Sequence, residues 1–373
     1  MPLKVAFLTP YNPATPRDWS GTPFYALRAL QHAFADVHHI PCPVAGTVQR
    51  IALKVGSRLG IDAAREPSIS RLFCREIEGP LAACAPDIIV GLSASVILSR
   101  LKTDIPMLHV SDATYAAMSG YYPGEFEGIS ARSKRLGNEM EAMSLSRSRA
   151  AVLSSEWAAR SAREDYGVPA FRVHVVPLGA NLDPGLTPVT ARPMDKCRLL
   201  FVGVDWRRKG GDIVHAAFQS LRARGLDVEL HIAGCTAPVD GPGIHQHGFL
   251  SKGDPKQYAR LQDLFRQASL LFVPSRQEAF GLVFAEASAV GLPSISTATG
   301  GIPSVVSDGA NGLLLPVAAG GEDYADRIAA LWADRAAYAR MQLDCVDSFR
   351  RRLSWDAWGA SVARIAAEVA GGM

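Results

Sequence analysis

Two glutamates, Glu278 and Glu286, stand eight positions apart in "RQEAFGLVFAEASAVGLP" (276–293), directly after the apolar run "LLFVP". Such a run predicts a strand, and "LVFAEASAV" predicts a helix from about Leu282, stopped by Gly291 and Pro293. Glu278 then lies in the strand-to-helix loop, and Glu286 about one turn inside the helix. The N–H groups near Leu282 and Val283 find no acceptor within that helix and attract a phosphate. Gly281 lets the phosphate approach with no Cβ in the way. Glu286 could accept hydroxyl hydrogen bonds from a ribose, as an acid does in dinucleotide folds. Glu278 could accept those of a sugar beyond the phosphates. The plainer alternative is a loop acid near a helix dipole and a solvated helix acid. Against it, "VFAEASAVG" offers no polar face, and a buried acid needs a partner.

A second cluster is "DWRRKGGD" (205–212), where Arg207, Arg208 and Lys209 follow a strand and Gly210–Gly211 lead into a helix. Cations there could stabilise the charge that grows on a departing diphosphate. Arginine would bind it bidentately and lysine as a point charge. A solvated basic turn is the alternative, and which of Arg207 and Arg208 points inward stays open. Gly21–Thr22 opens another helix whose N-terminus tolerates an anion. Asp112, after the run "PMLHV", is either a general base or hydroxyl-binding group, or the N-cap of the next helix. His109 reads as a satisfied core histidine. Gly300 and Gly301 form a loop whose N–H groups could touch a sugar, and Asn311–Gly312 reads as a hairpin turn.

These groups need a frame. Apolar runs bounded by Gly and Pro recur at 4–8, 87–92, 106–110, 150–155 and 172–179, then at 198–203, 227–234, 244–249, 270–274 and 292–297. They suit strands buried on both faces of a parallel sheet. Helix-period segments such as 211–224 and 256–268 separate them, which predicts βαβ units. At 373 residues the chain exceeds one ordinary core, about 100–200 residues per domain. The proline-rich segment 180–197 reads as an interdomain linker, and "SWDAWGASVARIAAEVA" (354–370) as an amphipathic helix. Two domains follow, one on either side of that linker.

Composition narrows the function. The chain is 48 % hydrophobic and 20 % charged, as globular proteins are. Its net charge of +3 comes from dispersed basic residues, which argues against a nucleic-acid partner. The six cysteines form no C-x-x-C pair and predict neither zinc ligation nor disulfides. With no secretory h-region and no run of about 18 apolar residues, a cytoplasmic chain is expected. The segment "QRIALKVGSRLG" (49–60) could form a basic amphipathic surface for peripheral membrane contact with a lipid-linked acceptor; a solvated helix is the favoured reading.

The segment "EAFGLVFAE", continuing into "ASAVGLPSISTATGGIPSVVSDGANGLLLP", resembles the family-4 retaining glycosyltransferases with their E-x7-E motif. "SDATYAAMSGYYP", "VHVVPLGAN", "FVGVDWRRKGG" and "HGFLSK" support the resemblance over most of the chain. It implies an α/β GT-B fold: two Rossmann-like domains with parallel sheets facing a central cleft, 1–182 plus the C-terminal crossover helix in 354–373 on the acceptor side, and 183–353 on the donor side. It implies a nucleoside diphosphate sugar donor of UDP or GDP type, a hydroxyl acceptor (sugar, glycolipid or small molecule), and no catalytic metal or other cofactor. Glu286 would hold the ribose, Glu278 face the donor sugar and Lys209, beside Arg208, bind the diphosphate under Gly21. Gly248, Phe249 and Leu250 would border the base, and Asp112 would stand near the reacting centre. Many members carry Gly-Arg where this chain has Gly203–Val204, so Arg207 or Arg208 is left to replace that arginine.

The expected reaction is sugar transfer with retention in glycan, polysaccharide or glycolipid biosynthesis. Front-face attack is favoured, the departing phosphate taking the acceptor's proton. Alternatives are a non-catalytic nucleotide-sugar binding protein and a nicotinamide dehydrogenase. The loop after the first strand lacks G-x-G-x-x-G, which disfavours the dehydrogenase.

Overall fold

The computed structural model describes residues 3–42, 60–182, 188–189 and 191–371. Residues 49–59 of the proposed membrane-facing segment lie outside them. The chain forms two compact units, Met1–Val176 with Trp358–Met373, and Pro177–Ala357. Among the described residues no helix is long and apolar enough to cross a membrane.

The first unit is built on six parallel strands: β1 (Lys4–Leu8), β2 (Asp36–His39), β3 (Ile88–Leu92), β4 (Met107–Ser111), β5 (Ala150–Leu153) and β6 (Val173–Val175). Their order is β2-β1-β3-β4-β5-β6. The inner strands β3, β4 and β5 are buried along their whole length, as their unbroken apolar sequences require. Ala6, Leu8 and Ile89 of the sheet pack with Cys74, Ile77 and Leu81 of the helix Pro67–Cys84. The outer strands β2 and β6 are only partly buried. β2 reads "DVHH", which carries no apolar run, so the sequence reading did not contain it. From Trp358 on, the helix Trp355–Gly371 belongs to this unit; a Cβ on its Gly359 would lie 2.8 Å from the Ala29 carbonyl oxygen.

The second unit holds β7 (Cys197–Val202), β8 (Val228–Ala233), β9 (Ile244–Gly248), β10 (Leu270–Phe272), β11 (Ser294–Thr297) and β12 (Gly312–Leu315). All neighbours pair in parallel, in the order β12-β11-β10-β7-β8-β9. The order reverses between β7 and β10, creating a crevice beyond their carboxyl ends where ligands bind in open α/β sheets. The loops 203–210 and 273–281 leave from these two strands.

Three expectations change here. Asn311–Gly312 does not make a hairpin: it leads into the parallel strand β12, paired with β11 from Ser294↔Gly312. The Asn311 side chain is buried, accepting from Ser307 N–H (2.7 Å) and donating to Ser288 Oγ and the Val305 carbonyl (3.0 Å each). The segment 180–197 is no free linker where it is described. Ala180 N–H donates to the Leu353 carbonyl (2.9 Å), Trp355 Nε1 donates to Asn181 Oδ1 (2.9 Å), and the buried Arg192 guanidinium binds the carbonyls of Phe265, Arg266, Ala268 and Val290. These bonds tie 177–182 and 354–357 into the second unit, so its edges fall at Pro177 and Ala357 rather than at 183 and 353.

Candidate active site

Lys209 and Glu278 meet at the switch point of the second sheet. Lys209 ends the β7 loop, Glu278 lies in the β10 loop, and the Lys209 Nζ donates to Glu278 Oε2. Both side chains are nearly enclosed, 12 % and 13 % exposed, so their charges are weakly screened. Backbone geometry aims them. Gly210 is left-handed at φ 77, and a Cβ there would lie 2.1 Å from the Pro274 carbonyl oxygen, so the two loops touch only because the residue is glycine. Arg276 N–H donates to the Arg208 carbonyl (2.8 Å), and the Arg276 guanidinium holds Asp212 through two 2.7 Å bonds. Arg208 Nη1 reaches back to the Gln277 carbonyl (3.1 Å), while Arg207 is exposed. Of the two arginines, Arg208 is therefore the one folded against the Glu278 loop.

The helix Leu282–Ala289 starts where the sequence places it, with Gly281 as a left-handed N-cap (φ 94). Phe284 N–H already bonds the Gly281 carbonyl (3.0 Å), while Leu282 and Val283 occupy first-turn positions that have no intrahelical acceptor. Gly301 N–H is taken by the Glu278 carbonyl (2.9 Å), so it is a brace for the loop and not the sugar contact expected of it.

Glu286 is buried, and its partner is Lys252, whose Nζ donates to Glu286 Oε1 and to the Asn181 carbonyl (3.0 Å). Burial pushes the Glu286 carboxyl above its ordinary range, and Lys252 partly opposes this. A carboxylate with one bonded oxygen can still accept from hydroxyls. The sequence reading required a partner for Glu286 but did not single out Lys252. The available signal was a lysine shortly after a strand, two positions beyond Leu250. Through Lys252 the segment carrying Gly248, Phe249 and Leu250 is held to the helix of Glu286. Gly248 accepts from Gly234 N–H (2.8 Å), and Phe249 stands 67 % exposed.

Gly21 and Asp112 belong to the first unit. Gly21 is the left-handed N-cap of the helix Thr22–Ala33. Asp112 follows β4, but Thr114 caps the next helix, accepting from Ala117 N–H (3.2 Å), which removes the N-cap reading of Asp112. Burial raises the Tyr11 phenol pKa, and the charges of Asp112 and Asp18 add to the rise. His109 is a core residue as read, with Nδ1 2.9 Å from Ser144 Oγ and Nε2 3.4 Å from Glu141.

Two six-stranded parallel sheets, each flanked by helices, make this chain a GT-B protein. It superposes on sucrose-phosphate synthase from Thermosynechococcus elongatus with a TM-score of 0.70 at 18 % identity, covering 99 % of this chain and 100 % of that one. It superposes on HepE of Anabaena in complex with UDP with a TM-score of 0.68 at 14 % identity, covering 98 % and 100 %. Residues 196–334, which include both loops and both glutamates, match the family of group 1 glycosyl transferases. D-inositol 3-phosphate glycosyltransferase of Xylanimonas cellulosilytica is 33 % identical over 249 residues, 58 % of each chain. That of Nocardiopsis dassonvillei is 29 % identical over 213 residues, 52 % of this chain and 49 % of that one. The chain thus spans about half the length of these curated relatives.

Proposed function

We propose that this protein is a retaining, metal-independent glycosyltransferase of the family-4 type, moving a sugar from a nucleoside diphosphate to an acceptor hydroxyl. The observation that carries the reading is the Lys209–Glu278 pair beside the helix N-terminus at Gly281, at the switch point of the second sheet. A diphosphate there would take Lys209 as counter-ion, and the N–H groups of Leu282 and Val283 would face its oxygens. Lys209 would then stabilise the charge that grows as the diphosphate leaves. Glu278, freed from Lys209, would accept hydroxyls of the donor sugar. Glu286, fixed by Lys252, would hold the ribose. Arg208, in place of the arginine missing at 204, would back the phosphate loop, and Asp112 would serve the acceptor. Retention would follow from front-face attack, with the departing phosphate accepting the acceptor's proton. UDP in the HepE structure makes UDP-sugars the first donors to try, and the named activity of the curated relatives points to a small hydroxyl acceptor.

The test is release of nucleoside diphosphate from UDP- and GDP-sugars with EDTA present. Lys209→Ala should lower kcat about 10²–10³-fold, the loss typical of one charge-stabilising donor, while the far-ultraviolet dichroism stays unchanged. Activity near wild type would sink the role given to Lys209. Activity that EDTA abolishes while the fold persists, and that a divalent ion restores in both the wild type and His245→Gln, would sink metal independence.

A further inference from the structure

The second sheet carries a second cluster, away from the Lys209–Glu278 loops. β8 and β9 pair in register at His231↔His245, and side chains two apart on a strand share a face. Glu229 and His231 on β8 therefore line up with His245 and His247 on β9. Glu229 Oε2 is 3.6 Å from His231 Nε2, and Glu229 Oε1 is 3.9 Å from His245 Nε2. The three donor atoms lie within 4.8 Å of one another. Among the described residues no other three such donors converge in this way. Bonds of about 2.0–2.2 Å around a tetrahedral ion place its donors about 3.4 Å apart. The His231 and His245 rings stack with centroids 4.7 Å apart at 24°, so the His245 ring, 46 % exposed, must turn for the three donors to reach one ion.

We propose that Glu229, His231 and His245 bind a divalent transition metal of the zinc class, with water in the fourth position. Two further features fit. His231 Nε2 is buried, makes no hydrogen bond and has the Glu229 carboxylate 3.6 Å away. Its other nitrogen, Nδ1, lies 3.2 Å from His247 Nε2, the outer hydrogen bond that fixes the tautomer of a ligating histidine. Imidazole and carboxylate are ligands that zinc accepts. Lys196 and Arg198 flank the Glu229 carboxylate, Lys196 Nζ 2.9 Å from Oε1 and Arg198 Nε 3.8 Å from Oε2, and a metal would compete with them. That ammonium has a second acid at hand, Asp227 at 3.7 Å, to which it can move when a metal claims Glu229. The ion would join the edge strand β9 to β8. This inference does not depend on the proposed transferase reaction.

The experiment titrates the metal-free full chain with Co²⁺ by visible absorption, then displaces it with Zn²⁺. One Co²⁺ per chain, with tetrahedral visible bands and no thiolate charge-transfer band, is expected. His245→Gln, an exposed change that leaves the fold intact, should weaken binding at least tenfold. His247→Ala should weaken it roughly 10–100-fold, the usual effect of losing an outer partner. Lys196→Ala should tighten it, which a merely structural role for the cluster would not produce. Binding unchanged in both His245→Gln and His231→Gln would overturn the proposal. So would a thiolate band, which would assign the metal to a cysteine, or no stoichiometric binding at all.

Discussion

A carboxyl as enclosed as Glu286 makes its ionised form costly, and Lys252 compensates only in part. Its folded-state pKa is raised, so the native state binds this proton more tightly than the unfolded chain does. The stability it contributes is full below the ordinary value of 4.5 and is lost as pH rises through the folded value. Denaturant titrations of the wild type from pH 4.5 upward should show this decline, and Glu286→Gln should flatten it. An equal slope in the variant would mean that Glu286 is not the group responsible. The same residue shows what one chain discloses about itself. "VFAEASAVG" reveals a buried acid, because its neighbours leave no polar face. It does not reveal Lys252, which lies 34 positions earlier and meets Glu286 only through the packing of the β9 loop on the helix. Lys209 and Glu278, 69 positions apart, could each be read as ligand groups, but their pairing needed the strand order.

At the scale of elements, legibility follows burial. Inner strands such as β3 and β7 stand out because both faces are apolar; β2 was silent because its sequence is polar and its exposure partial. β12 was misread for another reason. Asn311–Gly312 is a turn signal locally, yet Asn311 spends its side chain on three internal bonds that hold Ser307, Val305 and Ser288. Asn311→Ala should strand those groups and lower stability by about 1–3 kcal/mol, measured by urea unfolding. A hairpin turn on the surface would have tolerated the change. Gly281 is the opposite case, legible from the start as a glycine at a helix entrance. Its φ of 94 and a Cβ position 2.5 Å from Phe284 Cδ2 leave no room for alanine. Gly281→Ala should cost about 1–3 kcal/mol through strain and also weaken nucleotide binding. A variant with unchanged nucleotide affinity would detach this helix entrance from the site.

For the whole molecule, the groups proposed to bind the donor, Lys209, Glu278, Gly281 and Glu286, all reside in the second unit, whereas Gly21 and Asp112 reside in the first. A nucleoside diphosphate should therefore stabilise the second unit directly. At about 100 times its Kd a ligand adds about 2.7 kcal/mol to the folded state. If the second unit unfolds on its own, that gain corresponds to a rise of about 5–10 °C in its transition, given about 2–4 °C per kcal/mol for a domain of this size class. Scanning calorimetry with UDP, GDP and ADP in turn should show one of them raising a single transition by this amount. The rise should disappear in Glu286→Ala, which removes the carboxylate proposed to hold the ribose. If the two units instead unfold together, the larger entropy of the joint transition makes the shift smaller and moves the entire peak. No shift with any nucleotide would remove the second unit as the donor site. A shift that persists in Glu286→Ala would keep the site but take the ribose away from that residue.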